Sequence, residues 1–266
     1  MVKVILLAIL ACGPLGNVLE EDPLAITEEM KTFFEDRVDR RAPPRQRVQL
    51  ILSALFAEDG VAFTYRNETR TAAETFERRS GDCLSFTNLF IAVARHFDLR
   101  ARFREVDIAP NWSQRGSVVV FNRHLNSLVS VGTQGLIIDL IPQINRVEVS
   151  GRVVADERGF AHYYNNKGAE SIAEGDLDSA RDYFQKALDY EDNASFIWAN
   201  LGVVQTHQKD LEGAEESYRR AMKLDKHDMV ALTNLVRLLE KEGRYEEVPH
   251  LQERIMDFRN KNPYYH

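Results

Sequence analysis

Hydrophobic positions change their spacing twice along this chain, and the changes divide it into regions. From about residue 17 to residue 60 the spacing is helical. Thr27-Glu28-Glu29 joins an N-capping hydroxyl to acids in a first turn, and Pro43-Pro44 ends that segment. A second helix opens near Arg45, with Val48, Ile51, Leu52, Leu55 and Phe56 at helical spacing and Asp59-Gly60 beyond its end. A third apolar stripe, Phe86, Leu89, Phe90, Val93 and Phe97, follows the polar turn Arg79-Ser80-Gly81-Asp82. Past Asp98 the period shortens. Residues Ala101 to Val106 alternate, Ser117 to Phe121 is a β-branched run, and Leu125 to Val131 and Leu136 to Ile141 are further strand candidates separated by Gly132 and Gly135. A helix followed by about four strands predicts an α+β arrangement.

From Tyr163 the chain repeats itself. Gly168 recurs as Gly202, Ala180 as Ala214, Phe184 as Tyr218 and Ala187 as Ala221, always 34 residues on, which is the tetratricopeptide period. Trp198-x-x-Leu201-Gly202 also fits the start of that motif. The small residues let two antiparallel helices approach, and the large ones fill the space between them. A third unit from about Leu232 keeps Leu235 and Gly243 but has Val248 where the others have alanine. It reads as a degenerate unit that caps the stack, since an end repeat must present a wetter face.

Composition narrows the function classes. A net charge of −7 and a pI near 5.6 argue against a general nucleic-acid binder, which needs a basic face. The N-terminus is unlike the rest: Met1-Val2-Lys3, then the apolar run Val4 to Ala11, then Cys12-Gly13. This is the layout of an export signal, too short to span a bilayer. Ile9-Leu10-Ala11-Cys12 resembles a bacterial lipoprotein box, in which Cys12 would be lipidated and anchor the protein at a membrane. A plain signal peptide or a start site placed a little late are the alternatives. The expected location is exported, periplasmic or lipid-anchored.

The candidate chemistry centres on Cys83, at the point where the polar turn hands over to a helix. The chain has two cysteines, and the other lies in the signal segment, so Cys83 has no evident disulfide partner. A thiol at a helix N-terminus is a candidate nucleophile with a depressed pKa, although taken alone most free cysteines are small buried hydrophobes. A nucleophile needs a base within reach. Of the seven histidines, His96 lies about 20 Å along the same helix, and His162, His207, His227, His250 and His266 belong to the repeats. His124 remains, beside a strand. Asp139, among Leu136-Ile137-Ile138 and Leu140, is costly to bury unless paired. Bonding to His124 would orient the imidazole and stabilise its charged form. Asp82 reads as an N-cap. Asn111, Trp112, Asn122 and Asn126 are ambiguous between packing or capping and lining a cleft. No paired Cys/His spacing suggests zinc.

The Gly81-Asp82-Cys83 turn with its helix, the Asn122-Arg123-His124 strand and the Ile138-Asp139 strand together resemble the transglutaminase-like superfamily over roughly residues 60–145. The combination with repeats is similar to a group of bacterial transglutaminase-like proteins. The resemblance implies a papain-like fold and Cys83-His124-Asp139 acyl-transfer chemistry on an amide bond of a protein or peptide, by hydrolysis, amide formation or deamidation. The expected division is a signal segment at 1–16, a transglutaminase-like domain at 17–158 and a tetratricopeptide domain at 159–266. The repeats would hold a protein partner or the substrate. No metal, nucleotide, other cofactor or nucleic acid is expected. The competing expectation is a non-catalytic adaptor that binds a peptide strand through one domain and a protein through the other.

Overall fold

The computed structural model describes residues 21–106, 112–115, 118–121, 124–140 and 150–261. Cys12 and the signal segment lie outside the described residues. The first elements are those the pattern predicts. Helix α1 (Glu28–Glu35) is capped by the Thr27 hydroxyl, and α2 (Pro44–Phe56) begins with proline in its first turn. Two short parallel strands, β1 (Thr64–Tyr65) and β2 (Ser80–Gly81), then flank α3 (Ala72–Arg78). The pattern of apolar residues did not announce α3, which is too short for a clear stripe. Its start is nonetheless written as a capping box, Thr71 with Glu74, and both reciprocal bonds form.

Helix α4 (Cys83–His96) is the centre of this region. Every residue from Leu84 to Ala94 is buried, so it is enclosed all round rather than on one face. Phe86, Phe90, Phe97 and Phe103 fill the space around it, each side chain contributing about 1.5–3 kcal/mol by leaving water. Strand β3 (Arg100–Val106) follows. A hairpin, β4 (Trp112–Arg115) with β5 (Val118–Phe121), precedes β6 (His124–Val131) and β7 (Gln134–Ile138), and β8 (Gly151–Val153) comes last. The main sheet has the order β7-β6-β3-β8 and is antiparallel throughout. Ala101 and Phe103 of β3 face the core, while Arg100 and Arg102 alternate with them on the exposed side.

The repeats begin with α5 (Asp156–Glu174), followed by α6 (Leu177–Tyr190), α7 (Ser195–His207), α8 (Leu211–Leu224), α9 (Met229–Lys241) and α10 (Val248–Lys261). Gly168 and Gly202 mark the same close approach. A Cβ on Gly168 would fall 2.7 Å from the Phe184 ring, and one on Gly202 2.6 Å from the Tyr218 ring. The 34-residue period is therefore a packing period: glycine on one helix, an aromatic ring on the next.

Helix α5 also belongs to the α+β region, so the expected boundary at 158–159 falls inside a helix. Arg95 of α4 holds Asp156 through two bonds of 2.6 and 2.8 Å. Gly159 lies against Phe103, where a Cβ would come within 2.6 Å of the ring. Glu105 of β3 is the buried anchor of this junction. It accepts from Arg152 at 2.7 Å and from Arg158 at 2.9 Å, and its Oε1 lies 3.1 Å from His162 Nε2. Burial pushes the Glu105 carboxyl up, but its bond to His162, the His162 and Arg158 charges and the Arg152 bond together hold it far below the usual glutamate range. One apolar core runs from Met30 through α4 and the sheet to Val204 of α7.

Candidate active site

Local sequence fixes Cys83 as the first residue of α4. Asp82 is the extended N-cap, and its Oδ1 accepts the Ser85 amide at 2.8 Å. Gly81 allows the chain to press on the helix start, where a Cβ would fall 2.3 Å from Ser85 Cβ. The Ser85 hydroxyl lies 2.7 Å from Asp82 Oδ1 and accepts the Arg70 amide at 2.8 Å. One turn along, the Thr87 hydroxyl lies 2.8 Å from the Cys83 carbonyl and 3.4 Å from the Leu125 carbonyl. Leu125 follows His124, so this hydroxyl draws the start of α4 and the start of β6 together.

His124 pairs with Val106 across the sheet and is 7% exposed. Its Nε2 lies 2.7 Å from Asp139 Oδ2. An ionised carboxylate only accepts hydrogen bonds, so Nε2 carries the proton and Nδ1 of the neutral ring keeps its lone pair. Among the described residues Nδ1 has no hydrogen-bond partner. Asp139 follows β7 directly instead of lying within it, because the strand stops at Ile138. Leaving the ladder frees its side chain to turn toward His124. That side chain is 1% exposed and also accepts from Asn126 Nδ2 at 2.8 Å. Two donors thus offset the cost of burying the charge.

The thiol itself departs from expectation. Burial, the Asp82 carboxylate and the Asp139 carboxylate together push the Cys83 pKa up to about 12. The helix N-terminus was expected to depress it, but two nearby negative charges and loss of water outweigh that field. Cys83 is a free, half-buried, protonated thiol in this state. The influence of Asp139 on it also puts the thiol and the acid–histidine pair in one electrostatic neighbourhood.

Asn126 is a site residue that the sequence left ambiguous. It is fully buried and serves Asp139, and the available signal was its i, i+2 spacing from His124 on one strand. His96 sits at the far end of α4 beside Glu35, with Nε2 2.9 Å from Oε1. Trp112 is in β4. Asn111 and Asn122 lie outside the described residues.

Residues 32–131 match the family model of the transglutaminase-like superfamily, and residues 161–193 and 197–228 match the tetratricopeptide repeat model. No curated protein matches the chain. Among solved structures, 61 chains match. One is the second tetratricopeptide domain of Spaghetti (RPAP3) bound to the HSP90 peptide SRMEEVD, 17% identical, covering 38% of this chain and 94% of that one with a TM-score of 0.36. Another is the first such domain of the same protein with the same peptide, 19% identical, covering 41% and 88% with a TM-score of 0.38. The MamA protein is 18% identical, covering 41% and 60% with a TM-score of 0.36.

Proposed function

We propose that this chain, which carries a transglutaminase-like domain followed by tetratricopeptide repeats, is a cysteine-dependent acyl-transfer enzyme acting on amide bonds of a protein or peptide. The observation that carries the reading is the buried His124–Asp139 pair at 2.7 Å, with Nδ1 making no hydrogen bond among the described residues, beside the helix start that bears Cys83. Because the thiol rests protonated, activation is coupled to attack instead of preceding it. The Cys83 proton passes to His124 Nδ1 as Sγ bonds to the substrate carbonyl carbon. Asp139 holds the ring and stabilises the imidazolium. The first amide of α4, Cys83 N–H, has no acceptor within the helix and faces the developing oxyanion. The carbon–nitrogen bond then breaks, the leaving amine takes the proton from His124, and a thioester remains on Cys83. Water or a second amine resolves it.

The repeats supply the surface that presents the substrate or holds a protein partner. Export and lipid attachment through Cys12 are inferred from the N-terminal sequence alone, and Cys12→Ser should abolish incorporation of a labelled fatty acid. A non-catalytic adaptor is the second reading, favoured by the raised pKa of Cys83.

Acylation by an activated ester, followed by intact mass, separates the two. At pH 7 the natural chain should acylate at Cys83 about 10²–10⁴ times faster than His124→Ala. Equal rates in the two proteins, or reactivity that appears only near pH 12, would leave the adaptor.

A further inference from the structure

The first repeat helix departs from the repeat pattern at two positions. Lys167 corresponds to Leu201 and Leu235 in the following repeats, and Glu170 corresponds to Val204 and Leu238. All four of those counterparts are buried apolar residues. In α7 and α9 this face packs into the helical stack. In α5, which has no preceding repeat, it meets the loop that leads to Cys83, and there it carries an ion pair of 3.3 Å between Lys167 Nζ and Glu170 Oε2.

Glu170 has a specific acceptor role on that loop. Its Oε1 takes the backbone N–H of Thr69 at 2.6 Å, the short length of a charge-assisted bond. Thr69 is 2% exposed, so its amide has no water to fall back on. The Thr69 hydroxyl donates to Asp82 Oδ2 at 2.7 Å, and Asp82 Oδ1 accepts the Ser85 amide. The Asp82 amide closes the circuit on the Glu68 carbonyl at 3.0 Å. A continuous path of short bonds therefore runs from a repeat helix to the cap directly before Cys83.

We propose that Glu170 is a positioning residue for Cys83, acting through Thr69 and Asp82, so that the first repeat helix is a working part of the thiol site and not only of the repeat stack. The inference rests on the acyl-transfer reading for its functional meaning but not for its geometry. Residues 32–131, the stretch matched by the transglutaminase-like model, contain the thiol, Thr69 and Asp82 and lack the group that holds them. Nothing in the period predicts a carboxylate at residue 170. Its counterparts show that the stack alone would take an aliphatic side chain there.

The test uses the full chain and two readouts that need no turnover, amide hydrogen exchange and the pH dependence of Cys83 alkylation by iodoacetamide. In Glu170→Ala, exchange at the amides of Thr69, Asp82 and Ser85 should rise about ten- to a hundredfold. The alkylation midpoint of Cys83 should fall, because the turn that shields the thiol opens to water. Glu170→Gln should restore both, since its carboxamide oxygen still accepts the Thr69 amide. Ester acylation at pH 7 should drop about ten- to a hundredfold in Glu170→Ala as the thiol loses register with His124. If Glu170→Ala unfolds, Thr69→Val decides: it keeps the Glu170 bond, severs the link to Asp82, and should produce the same midpoint shift. Lower melting temperature in Glu170→Ala with unchanged exchange at Thr69 and an unchanged midpoint would overturn the proposal, as would a normal midpoint in Thr69→Val. Acylation that does not depend on His124 in the natural chain would overturn the enzymatic reading and leave the relay standing on exchange and alkylation.

Discussion

Two buried carboxylates in this protein each meet a histidine, and they are built for different ends. Asp139 lies 2.7 Å from His124 Nε2 and also accepts from the neutral amide of Asn126. Glu105 lies 3.1 Å from His162 Nε2 but also holds Arg152 and Arg158. The arginines saturate Glu105 with permanent positive charge, and His162 stacks on Phe196 with ring centroids 4.8 Å apart. That cluster joins sheet to repeat helix. Among the described residues, Asp139 meets one imidazole and one neutral amide and no arginine, and His124 Nδ1 makes no hydrogen bond. On the acyl-transfer reading proposed above, His124 is the histidine of the two pairs that carries a proton, while His162 serves the joint between sheet and repeat helix.

The largest effect should come from breaking the Glu105 cluster. Glu105→Ala removes the carboxylate that Arg158 and His162 share in the interior and should cost about 3–5 kcal/mol in denaturant unfolding. Asp139→Asn should leave stability within about 1 kcal/mol, yet slow His124-dependent acylation of Cys83 by about two orders of magnitude, because the ring loses its fixed tautomer. If Asp139→Asn unfolds the protein as Glu105→Ala does, the division between the two pairs collapses.

Acid sharpens the same contrast. The Glu105 carboxyl is held below its ordinary value of 4.5 in the folded chain, so the unfolded chain takes up the proton first. Its contribution is complete above that value and is lost as pH falls through the folded value. Stability should therefore fall with acid below about pH 4.5 in the natural chain, and less steeply in Glu105→Gln, as followed by urea midpoints. The smallest expected change is in Asn126→Ala, where Asp139 keeps His124 but loses one neutral donor. Acylation should slow by about tenfold or less.

Much of this was readable from residues in order. Apolar spacing located α1, α2, α4 and the main strands, because amphipathic periods follow from burial. The 34-residue period located the repeats, because one close helix contact recurs at each glycine–ring pair. Cys83 was readable as a helix start from the polar turn that ends at Asp82. His124 and Asp139 were reached by elimination and by the cost of stranding a carboxylate among aliphatic residues. Other features were not readable. Asn126 looked like a capping residue until a neighbouring strand end delivered Asp139 to it. Glu105 looked like one charge in an alternating strand, and its partners come from β8 and α5.

Sequence by itself determined the elements, the repeat and the identity of the chemical groups, since propensity, capping and burial periods act over a few residues. Tertiary structure decided which groups share an environment. It alone buried Cys83 and brought Asp139 near it, adding to the adjacent Asp82 and reversing the expectation from a helix N-terminus. It alone turned Glu170 of the first repeat toward Thr69. Both outcomes depend on charge and desolvation summed over segments far apart in the chain, and no local pattern of residues encodes that sum.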